Sequence, residues 1–86
     1  MPKHNEAVKQ AILEVVANQL RDNNPPETKE TYARLKTAGY SDEDARILIG
    51  QVVMCEIFDV LKRGEVFNHE RFVARLTKLP EEPYDG

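Results

Sequence analysis

The stretch Ser41-Asp42-Glu43-Asp44-Ala45-Arg46-Ile47-Leu48-Ile49-Gly50-Gln51-Val52-Val53-Met54-Cys55-Glu56-Ile57-Phe58-Asp59-Val60-Leu61-Lys62-Arg63-Gly64 decides the fold. Ser41 is a good N-cap, because its hydroxyl can accept a backbone N–H of the first turn. Asp42, Glu43 and Asp44 put negative charge at the positive end of the helix dipole, and Lys62 and Arg63 put positive charge at the other end. Gly64 is a natural left-handed stop. These signals predict one helix over residues 42–63, about 33 Å long at ~1.5 Å per residue.

That helix is apolar nearly all round. Ala45, Leu48, Ile49, Val52 and Val60 lie on one side, and Ile47, Met54, Ile57, Phe58 and Leu61 occupy much of the other. Such a helix is normally buried on most faces. The remaining sequence must therefore supply neighbours on several sides, or a second chain must. Gly50 inside the helix costs roughly 1 kcal/mol relative to alanine, and reads either as a close helix crossing, such as one at a two-fold axis, or as tolerated drift.

Upstream, Val8, Ile12, Val15 and Val16 recur at helical spacing and predict a helix over residues 4–22. Asn23-Asn24 tolerates the left-handed conformation in which helices often end. Asn24 then reads as the N-cap of a short helix over 25–38, with Pro25 at its first position and Tyr32, Leu35 and Ala38 on its apolar face. Gly39 followed by Tyr40 reads as a Schellman ending. Downstream, Asn68 caps a helix over 69–79. Phe67 and Phe72 have the spacing of a hydrophobic staple, and Pro80 stops the helix.

No alternating run bounded by hairpin turns predicts a strand. The reading is an all-α four-helix bundle in one domain over 1–80, with 81–86 as a disordered tail. The expected core is Val8, Ile12, Val15, Leu35, Leu48, Ile49, Val52, Phe72 and Leu76.

An 86-residue chain has room for one domain and one modest core. Two of the helices are short. The economical arrangement therefore packs the third helix against a second chain as well, giving a homodimer or a complex with a protein partner through Met54, Ile57, Phe58 and Leu61. A net charge of −3 argues against nucleic-acid and anionic-membrane partners. No apolar run approaches the ~20 residues of a membrane span. Met1-Pro2-Lys3-His4-Asn5-Glu6 does not read as a secretory signal, and one cysteine fits a reducing cytoplasm.

Glu56 is the most informative polar residue, because helical phase sets it among Ala45, Ile49, Val52 and Val60. A buried carboxylate must pair, accept hydrogen bonds or become neutral. Gln19, on the apolar stripe of the first helix, is the expected partner, with a helix terminus or a basic residue as alternatives. The alternatives are a metal-binding or acid–base enzyme centred on Glu56, and a nucleic-acid-associated regulator with a basic patch from Lys9, Arg21, Arg34, Lys36, Arg71, Arg75 and Lys78. No Glu-x-x-His pair supports a di-iron bundle, and His4, His69 and Cys55 lack zinc spacing. Cys55 reads as a buried small hydrophobe, and no nucleotide or hydrolase motif occurs. No catalytic, cofactor or metal residue is expected.

Tyr32 to Ile49 superficially has the form of a helix-turn-helix, but Asp42, Glu43 and Asp44 would meet DNA phosphates. The turn from Ala38 to Ala45 is similar to the Gly-Tyr/Phe turn of ubiquitin-associated domains, whose second helices are far shorter than this one. The stretch Asn18-Gln19-Leu20-Arg21-Asp22-Asn23-Asn24-Pro25-Pro26-Glu27-Thr28, with Tyr32-Ala33-Arg34-Leu35 and Gly39-Tyr40-Ser41, resembles a group of small uncharacterised bacterial proteins, a domain of unknown function. Some members carry histidines on the first helix where this chain has Lys9 and Leu13. The resemblance spans roughly residues 8–62. It implies an all-helical fold and a bacterial or archaeal origin, and no activity. The function expected is that of a small non-enzymatic interaction and dimerisation module.

Overall fold

Apolar residues at helical spacing build the first helix, α1 (Lys3–Asp22), in a computed structural model that describes residues 3–81, with side chains from residue 6 onward. It is followed by α2 (Pro26–Thr37), α3 (Asp42–Arg63) and α4 (His69–Lys78). No strand occurs among the described residues. The readings of the His4 side chain and of residues 82–86 fall outside the described residues.

The helix ends follow local chemistry. Asn23 adopts φ 52°, and the Asn24 N–H donates to the Gln19 carbonyl at 3.1 Å. Helix α2 begins at Pro26, one residue later than expected. The expected cap of α2 falls instead to Pro25, which makes no side-chain cap bond. After α2, Gly39 takes φ 107°. Its N–H donates to the Lys36 carbonyl and that of Tyr40 to the Leu35 carbonyl, the two bonds of a Schellman turn. Ser41 Oγ accepts the Asp44 N–H at 3.0 Å, and Gly64 ends α3 at φ 66°. Asn68 Oδ1 accepts the Arg71 N–H at 2.9 Å, and the rings of Phe67 and Phe72 lie 5.5 Å apart as a staple.

The core forms where α3 meets the other three helices. Val16, Leu35, Ala45, Ile49, Val52, Phe72, Leu76 and Leu79 are all essentially inaccessible. Ile12 and Leu48 are only partly buried against this core. Val8 and Val15 depart further from expectation, being 48% and 37% exposed. The cause is a rotation of α1 that turns Val16 inward. Val16 is i+4 from Ile12, whereas Val8 and Val15 lie at the edge of that stripe.

Gly50 marks the close approach of α1 and α3. A Cβ there would stand 3.1 Å from Ile12 Cγ2. The close crossing that the sequence suggested is thus made within the chain. Helix α2 also packs on α1 and α4, whereas among the described residues no Cα of α1 comes within 8 Å of a Cα of α4.

Candidate functional site

Two features of α3 stand out: a buried polar cluster toward α4, and an uncovered apolar ridge toward α1.

The cluster centres on Glu56, which is 3% exposed. Arg71 grips it with both arms of the guanidinium, Nε donating to Oε1 at 3.0 Å and Nη2 to Oε2 at 2.8 Å. The Asn68 N–H also donates to Oε2 at 2.8 Å. In a capping box, an acid three residues into the helix returns to the N-cap N–H. Here Arg71 holds that position, and α3 supplies the acid from outside. One turn along α3, Asp59 Oδ2 meets Arg75 Nη2 at 2.6 Å, and Arg71 Nη1 also reaches Glu65 at 3.2 Å.

Burial pushes the Glu56 carboxyl up, but the hydrogen bonds from Arg71 and Asn68 and the charges of Arg71 and Arg75 outweigh it. The group is held below its ordinary value. Asp59 is also lowered, chiefly by its close pairing with the Arg75 guanidinium. A carboxylate so firmly ionised, with donors on both oxygens, is a poor general acid or base at neutral pH.

The expected Gln19–Glu56 pair does not form. Gln19 Oε1 instead accepts from Thr28 Oγ1 at 2.9 Å, and Thr28 is fully buried between α1 and α2. A guanidinium fork matches a carboxylate in charge and shape, which a neutral amide cannot do. Gln19 and Glu56 nevertheless line one depression of about 330 Å³, open where α1 and α4 fail to meet. The sequence reading missed Asn68, Asp59, Arg71 and Arg75 as partners. The available signal was that Arg71 and Arg75 each precede an inward residue of α4, Phe72 and Leu76.

The ridge is the second feature. Phe58 is 60% exposed, Leu61 74% and Ile57 38%, and Met54 is half-buried beside them. Along this ridge, α1 and α3 diverge into an apolar groove of about 800 Å³, with Val8, Ile12, Leu13, Ile47, Met54 and Phe58 among its walls. Of the four residues expected at an interface, Met54 and Phe58 line this groove, while Ile57 and Leu61 line the depression beside Glu56.

The cations expected in a basic patch are largely engaged elsewhere. Arg34 donates to the Leu76 and Leu79 carbonyls at the end of α4, Arg21 pairs with Asp22, and Arg71 and Arg75 face the acids of α3. His69 lies 3.6 Å from Glu27, and Cys55 is buried. Among the described residues, no group of three or more His, Cys, Asp or Glu side chains is placed to hold a metal ion, and no helix is long and apolar enough to cross a membrane. No family model, curated protein or solved structure matches the chain.

Proposed function

We propose that this chain is a non-enzymatic helical interaction module that associates with a protein surface through the outer face of α1 and α3, in the reducing cytoplasm of a bacterial or archaeal cell. The carrying observation is the exposure of Phe58 and Leu61 beside the apolar groove. Large side chains so placed leave a contiguous apolar surface, and such patches mark interaction sites. Aromatic anchors at the centre of a patch typically dominate the binding energy.

The polar cluster supports this reading from the other side of α3. Its ion pairs tie α4 to α3, with Arg71 on Glu56 and Arg75 on Asp59, although Asp59 Oδ2 and Arg75 Nη1 are buried without a well-aligned hydrogen-bond partner. The test compares the parent chain with Phe58→Asp for self-association by sedimentation, and for retention of a defined protein from host extract. Association or retention by the parent, lost in the variant, is the expected result. A chain that neither self-associates nor retains anything in a Phe58-dependent way overturns the reading.

A further inference from the structure

We draw no further inference here: the strongest candidate, the apolar groove of about 800 Å³ where α1 and α3 diverge beside Phe58, is an unpartnered face, and nothing in the structure shows what covers it.

Discussion

Arg71 closes on Glu56 with two parallel N–H···O bonds, and through it α4 is held to the middle of α3. Removing the carboxylate leaves the Asn68 N–H and two of the guanidinium's donors without their acceptor. Glu56→Leu is expected to destabilise by on the order of 3 kcal/mol. Glu56→Gln should cost less, because its oxygen still accepts one of those donors. Urea melts check the order, and equal midpoints for the two variants would mean that the pairing contributes little.

The same cluster sets an acid limit. The Glu56 and Asp59 carboxyls titrate below their ordinary values in the folded chain. A lowered folded value contributes stability that is fully present above the unfolded carboxylate value, about 4, and is lost as pH falls through the folded value. Stability should therefore be level between about pH 5 and 8 and fall below about pH 4. Glu56→Gln should flatten that fall. Melting temperatures across the range decide, and an acid loss unchanged in the variant would assign it to other carboxyls.

Core and rim should separate cleanly by truncation. Ile49 is fully buried, so Ile49→Ala is expected to cost about 2–5 kcal/mol. Val8 is 48% exposed, and Val8→Ala should change the stability of the isolated chain by no more than about 0.5 kcal/mol. Denaturation at micromolar concentration is the check. A large Val8 effect there would show that α1 packs with its other edge inward.

Gly50 poses two opposed effects. Alanine gains up to about 1 kcal/mol of helix propensity, while its Cβ would press on Ile12 Cγ2 at 3.1 Å. Ile12 borders the open groove and has room to turn, so Gly50→Ala should be neutral or slightly stabilising. Gly50→Val, with no such room to spare, should destabilise. Thermal melts of the pair test this, and a strongly destabilised alanine variant would mean that Ile12 is fixed.

What was legible in the sequence follows from how locally each feature is determined. Helix ends are set within a turn by caps and glycines, so Ser41, Gly39, Gly64 and Asn68 could be read one residue at a time. Asn24 misled because two prolines stand in a row and the helix begins at the second, Pro26, rather than at Pro25. The phase of α1 was ambiguous, because Val15 and Val16 are adjacent and only α3 decides which faces inward. Glu56 could be recognised as buried from its own helix. Its partner could not, because α4 approaches through a turn whose direction no spacing records. The ridge of Met54, Ile57, Phe58 and Leu61 was legible because a short chain has too few apolar faces to cover a helix that is apolar all round.

Helices α1 and α4 both pack on α2 and α3, but no Cα of one comes within 8 Å of a Cα of the other. Sites more than about 7–10 Å apart that share no partner side chain tend to combine additively. Substitutions along the groove side of α1 and in the α4 ion cluster should therefore act as independent traits. The apolar groove side is then free to diverge through sequence drift while the arginine lock stays intact. The reverse also holds, so the exposed face of the scaffold can change without renegotiating its stability.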